Sequence, residues 1–176
     1  MSDRQFTRGR IIAALEALGE ELSSAGIRGQ VFIVGGAAMA LAYSTRRVTR
    51  DIDAVFEPKT AIYDAAERVA ERLELPEDWL NDGVKGFLPG VDRDAMPLPE
   101  VDGIEVTTAS PRYLLAMKLL AMRFGEDDED IRILLRQTRI QSPDEALALL
   151  AQMYPHREPP LKTRLFLDEI LRSDGD

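Results

Sequence analysis

Residues 34–56 read VGGAAMALAYSTRRVTRDIDAVF. The stretch closes on DIDAVF, where Ile52, Ala54 and Phe56 alternate with Asp51, Asp53 and Val55, the two-residue period of a β-strand. Just upstream, VFIV (Val31 to Val34) is a short apolar run rich in β-branched residues and predicts a buried strand. Gly35-Gly36 ends that strand, and AAMALAY continues as a short helix. Two strands joined through a glycine turn and a short helix predict a small sheet with helices against it.

Working outward, Ile11, Ile12, Leu15, Leu18 and Leu22 recur at helical spacing, so Arg8 to Leu22 reads as an amphipathic helix that Gly26 and Gly29 end. On the other side, Pro58 opens a helix through Leu73 with Ile62, Ala65, Ala66, Val69, Ala70 and Leu73 on one face, and Pro76 stops it. LPEDWLNDGVKGF (Leu75 to Phe87) reads as a short helix or turn leading into an edge strand. Residues 89–103 carry Pro89, Gly90, Pro97, Pro99 and Gly103 among several acids and read as a long exposed loop. GIEVTT (Gly103 to Thr108) is the third strand. Ser110-Pro111 is an N-cap followed by proline at the first helical position. Helices are then expected over Arg112 to Phe124, Asp127 to Gln137, Pro143 to Tyr154 and about Pro160 to Leu171. The fold class is α+β, a small mixed sheet with flanking helices (residues 1–108) followed by a C-terminal helical lobe (109–176), the two forming one compact unit.

Composition narrows the chemistry. The 176 residues contain no cysteine and one histidine, His156, which lies beside Pro155. Disulfides, thiolate zinc, cysteine nucleophiles and His-rich zinc sites are therefore excluded, and hard-metal chemistry on carboxylates stays open. The polar N-terminus, MSDRQFTRGR, and the lack of any run near the roughly 20 apolar residues of a membrane span predict a cytoplasmic protein with no membrane partner. A net charge of -9 argues against a general nucleic-acid coat protein. One basic patch exists, Arg46, Arg47 and Arg50.

Asp51 and Asp53 point to one face of their strand. Carboxylates so placed are relieved of repulsion if they jointly hold divalent cations. Two magnesium ions roughly 3.5 to 4 Å apart, bridged by such a pair, would activate an attacking oxygen and neutralise a leaving pyrophosphate. An edge strand whose acids merely face water explains the same pattern. Gly35-Gly36 lets a backbone approach phosphate at a helix start, or is simply a tight turn. A phosphate cradle one strand before a carboxylate pair is what transfer from a nucleoside triphosphate (NTP) requires.

VGGAAMALAYSTRRVTRDIDAVF resembles the signature of the polymerase β-like nucleotidyltransferases. The likeness extends to their minimal bacterial branch, which contains the AbiEii and MenT-type toxins of toxin–antitoxin systems. SPRYLLAMKLLAMRFGEDDEDIRILL resembles the branch's later motifs, a lysine in an apolar helix and then an acidic Asp-x-x-Asp. WLNDGVKGF resembles a stretch of its solitary members. The resemblance covers roughly residues 30–140. It implies a polymerase β-like core with Gly35 and Gly36 holding the triphosphate and Asp51 and Asp53 binding Mg2+ or Mn2+. It further implies Lys118 reaching the nucleotide phosphates and Asp127 or Asp130 completing the polar site. Transfer of a nucleoside monophosphate to a tRNA 3′ end, as a toxin with a cognate antitoxin, would follow. Two features depart from the pattern. Many members have serine where Gly36 stands, and the third carboxylate is open, with Glu105 either a metal ligand or a solvent-facing residue.

Other readings stay beside these. Lys118, set among Leu114, Leu115, Met117, Leu119, Leu120 and Met122, could instead snorkel. Asp127, Asp128 and Asp130 suit a helix N-terminus through capping and the dipole. Asn81 and Lys85, four apart, could share a helical face toward nucleotide or be solvated. Arg47 and its neighbours could contact nucleotide or RNA, or Arg50 could pair with Asp51 or Asp53. Trp79 reads as a core anchor and His156 as structural or exposed. A protein or aminoglycoside-like acceptor, or a non-catalytic nucleotide-binding regulator, would account for the same residues.

Overall fold

The computed structural model describes residues 5–44 and 46–173; residues 1–4, which open the polar N-terminus, and residues 45 and 174–176 lie outside the description. Five strands form one sheet in the order β3-β2-β1-β5-β4. They are β1 (Gly29–Ile33), β2 (Ile52–Glu57), β3 (Leu80–Asn81), β4 (Met96–Pro97) and β5 (Ile104–Thr108). The sheet is mixed: β1 runs antiparallel to β2 and parallel to β5, β2 pairs parallel with β3, and β4 pairs antiparallel with β5. The expected strands are present within a residue or two. β4 lies inside the stretch read as loop, and the stretch read as a helix or turn leading into an edge strand holds the edge strand β3, followed by the 3-10 turn Gly83–Phe87.

By contacts the chain divides into two compact units, one running up to Gly86 with Asp94–Ala109, the other comprising Phe87–Arg93 and the chain from Ser110 onward. In the first, α1 (Arg8–Ser24) starts at Thr7, whose side chain accepts from the Arg10 N–H. α3 (Lys59–Leu73) starts after Pro58 and ends at Glu74 in the left-handed conformation. The two helices pack on each other and against the sheet. Their buried faces carry Ile11, Leu15, Leu18 and Leu22 on α1 and Ile62, Ala65, Ala66, Val69 and Ala70 on α3, the sequence periodicity realised as burial except at Ile12, which is half-buried, and Leu73, which is exposed at the end of α3. The strand period does the same work. Val31, Ile33, Ile52, Ala54, Phe56, Ile104 and Val106 are buried, whereas Phe32, Asp53, Val55 and Thr107 are half-buried and Gln30, Glu57 and Glu105 exposed.

Trp79 ties β3 to α3. Its ring is fully buried, its indole N–H donates to the Ala66 carbonyl at 3.0 Å, and it stacks against Phe6 at 6.4 Å. Trp79 is thus the core anchor its composition suggested, with the buried N–H satisfied.

The second unit is helical: α4 (Pro111–Leu120), α5 (Asp128–Thr138), α6 (Pro143–Met153) and α7 (Leu161–Ser173). Ser110 and Ser142 cap α4 and α6 with their hydroxyls, each followed by proline at the first helical position. The segment Phe87–Arg93, which chain order alone puts with the first lobe, is pinned in this unit by side chains. Tyr154 donates to the Phe87 carbonyl and Tyr113 to the Gly90 carbonyl, both at 2.7 Å, and Asp92 accepts from the backbone and hydroxyl of Ser110. Burial pushes the Tyr154 hydroxyl up to about 12.

Candidate active site

The segment that leaves β1 runs directly beside Asp53. The Val34 N–H donates to the Asp53 carbonyl at 2.9 Å, and the next residue, Gly35, has a φ of +61°. Only glycine adopts that conformation without penalty. A Cβ at position 35 would also stand 3.2 Å from Asp53 Oδ2. α2 (Gly35–Ala38) begins at this point and passes into a π-helical turn, Met39–Tyr43, closed by the Ser44 N–H donating to Met39 O at 2.8 Å. The first N–H groups of such a helix have no partner within it.

Gly36 has its own steric reason. A Cβ there would lie 2.8 Å from Thr49 Oγ1 and 3.1 Å from Thr49 Cβ. Thr49 therefore occupies the space where a side chain at position 36 would begin. Its hydroxyl donates to the Asp51 carbonyl at 3.2 Å, and its backbone pairs with Phe6 in both directions. Sequence reasoning missed Thr49, whose one signal was its place two residues before Asp51.

On the other side of β2, the parallel register sets Asn81 level with Asp53. Asn81 Nδ2 donates to Asp51 Oδ2 at 3.3 Å while its Oδ1 accepts from the Gly83 N–H at 3.2 Å. Asn81 thus reaches the carboxylate pair from a strand and not from a helix face shared with Lys85. Lys85 is exposed on the 3-10 turn that follows. Asp51 and Asp53 are each half-buried, one flanked by Asn81 and the other by Gly35. Arg47 is half-buried and Arg46 and Arg50 are exposed.

Over residues 10–155 the sequence matches the family described as a nucleotidyltransferase of unknown function (DUF6036). The chain belongs to this nucleotidyltransferase family. No curated protein matches it. In this nucleotidyltransferase, then, the glycine turn, both aspartates, Thr49 and Asn81 meet at one end of the sheet.

Glu105 does not join them. It is in register with Gln30, and Gln30 with Glu57, four residues along β2 from Asp53. At 3.3 Å per residue that is roughly 13 Å down the strand. Its carboxylate accepts instead from Gln30 Nε2 at 3.3 Å. The residue beside β1 nearest the level of Asp53 is Ala109, just past the end of β5, whose N–H donates to the Ile33 carbonyl. Among the described residues no group of three or more Asp, Glu or His side chains is placed to hold a metal ion, so the aspartates stand as a pair.

In the helical unit of the nucleotidyltransferase, Lys118, Asp127 and Asp130 come together. Lys118 Nζ lies 2.7 Å from Asp127 Oδ1 and 2.8 Å from Asp130 Oδ2, and all three side chains are buried. Asp127 Oδ2 also accepts from the Arg123 N–H at 2.9 Å and faces the Arg123 guanidinium. Burial alone would push the Asp127 carboxyl up, but the hydrogen bond and charge of Lys118, helped by Arg123, hold it below the usual carboxylate range. Lys118 does not snorkel; its charge is met inside. Among the described residues no helix is long and apolar enough to cross a membrane.

Proposed function

We propose that this nucleotidyltransferase moves a nucleoside monophosphate from an NTP to an acceptor hydroxyl, with Asp51 and Asp53 holding divalent cations, Mg2+ or Mn2+. One observation supports the reading: the left-handed Gly35 lies against the Asp53 carboxylate, so the glycine turn adjoins the carboxylate pair, as a phosphate cradle beside metal ligands would. Two half-exposed carboxylates are hard oxygen donors suited to such ions, with water completing the shell. When bound, the cations would supply charge neutralisation and acidification of the attacking hydroxyl.

The protein's own residues would position the rest. Gly35 and Gly36 admit the triphosphate to backbone contact. Asn81 orients Asp51, and Thr49 holds the entry to β2. The acceptor oxygen forms a bond to the α-phosphorus as the bond to pyrophosphate breaks, and the hydroxyl proton leaves to solvent. Much of the rate would come from alignment and charge complementarity. Lys118, Asp127 and Asp130 enter this reading as a buried ion cluster of the helical unit.

The motif resemblance supports a tRNA 3′ end as acceptor, and with it a toxin role and a cognate antitoxin. A second reading keeps the chemistry and takes a protein or aminoglycoside-like acceptor. The net charge of -9 favours it, because a polyanionic acceptor is repelled overall. The purified chain with Mg2+ and each of four α-labelled NTPs, given bacterial tRNA, aminoglycosides or no acceptor, tests both. Label is expected on one acceptor and should fall at least about a hundredfold in Asp51→Asn and Asp53→Asn variants that keep their circular dichroism. Undiminished labelling in both variants would refute the carboxylate assignment.

A further inference from the structure

Helix α5 ends beside a cavity of about 600 Å³ whose lining lies wholly within the helical unit. Arg132, Arg136 and Arg139 line it. All three are exposed, and Arg139 ends the helix in the left-handed conformation with a φ of 57°. Positions 132 and 136 lie about 40° apart around α5 and about 6 Å apart along it, and Arg139 follows at its C-terminal end. None of the three side chains is in an ion pair among the described residues, whereas Arg123, earlier in the same unit, is paired twice. Three guanidinium groups facing one cavity repel each other until an anion joins them, and this stands out in a chain of net charge -9.

The floor of the cavity is aliphatic. Leu135 and Ile140 are buried there and Leu171 is half-buried. A ligand for this site needs anionic groups for the rim and an apolar group between them. Guanidinium forks match carboxylates in paired hydrogen bonds. Carboxylates four apart on a helix, or two apart on an extended chain, stand roughly 6 to 7 Å from each other, close to the roughly 6 Å rise between Arg132 and Arg136. Single-stranded RNA is also anionic but is held by aromatic stacking platforms, and the lining here is arginine, glutamine and aliphatic side chains. The geometry points to a docking site for an acidic peptide segment of a partner protein, with carboxylates on Arg132 and Arg136 and one aliphatic side chain in the cavity. This does not depend on the transferase reading.

Fluorescence anisotropy on the full chain tests it with three labelled probes of equal charge: a short Glu-Glu-Leu repeat peptide, an oligoglutamate, and oligouridine RNA. The leucine-containing peptide should bind most tightly and weaken with salt. The Arg132→Gln/Arg136→Gln variant keeps good helix formers at both positions and should bind the peptide roughly ten-fold or more weakly. Equal binding of oligoglutamate removes the aliphatic anchor and overturns the proposal, as would tighter binding of the RNA. Absence of peptide binding, or binding indifferent to the double substitution, would overturn it as well.

Discussion

At position 35 two demands meet, a left-handed backbone and a neighbouring carboxylate oxygen 3.2 Å from where a methyl group would sit. Gly35→Ala should therefore cost at least about 1 kcal/mol of stability and also displace Asp53, suppressing transfer. Gly26 separates these effects, since it has a φ of +69° and open space where its Cβ would be. Gly26→Ala should lower the urea midpoint comparably yet leave transfer intact; an equal loss of activity in both variants would sink the proposed coupling of Gly35 to Asp53. The glycine pair and the two aspartates were legible as residues because their chemistry is unusual for a buried strand and its turn. Thr49 was not, because its role depends on lying against Gly36, thirteen positions earlier in the sequence and next to it only in the fold.

Among the elements, α4 and α5 are joined by charge as well as by apolar packing, since Lys118 on one lies between Asp127 and Asp130 on the other and at its start. Lys118→Met would leave two buried carboxylates without their cation. The expected loss is about 3 to 5 kcal/mol, read from the urea midpoint. A Lys118→Met protein as stable as the parent would instead favour the substrate-directed role that the resemblance assigns to this lysine. The helices were legible from their 3.6-residue period, which burial on α1 and α3 reproduces. The two-residue strand β4 was not, and β3 was legible only as an edge strand without bounds, because two residues cannot display a period. Glu105 shows the same limit, since its alternation placed it on a face while only the β1–β5 register placed it level with Glu57.

Across the whole molecule, acid should be the sensitive direction of the pH profile. Lys59 and then Tyr63 hydrogen-bond the Asp82 carboxyl and hold it low, and Lys118 does the same for Asp127 against its burial. A carboxyl with a depressed folded-state pKa adds stability above its unfolded value of about 3.9, and that stability is lost as pH falls through the folded value. Urea midpoints should therefore fall below about pH 4, and fall less steeply in Asp127→Asn; midpoints that rise between pH 5 and pH 3 would contradict this. The sequence by itself determined the α+β class, the order of the helices and of strands β1, β2 and β5, and the presence of a carboxylate pair on β2 and its entry. These rest on side-chain identity and on periods set by near neighbours along the chain. Tertiary structure alone decided that Asn81 reaches Asp51, that Thr49 fills the space at Gly36, that Glu105 stands apart and that Lys118 is internally neutralised. Each of these is a hydrogen bond, register or contact between segments brought together by folding, and spacing along the chain does not specify which atoms meet.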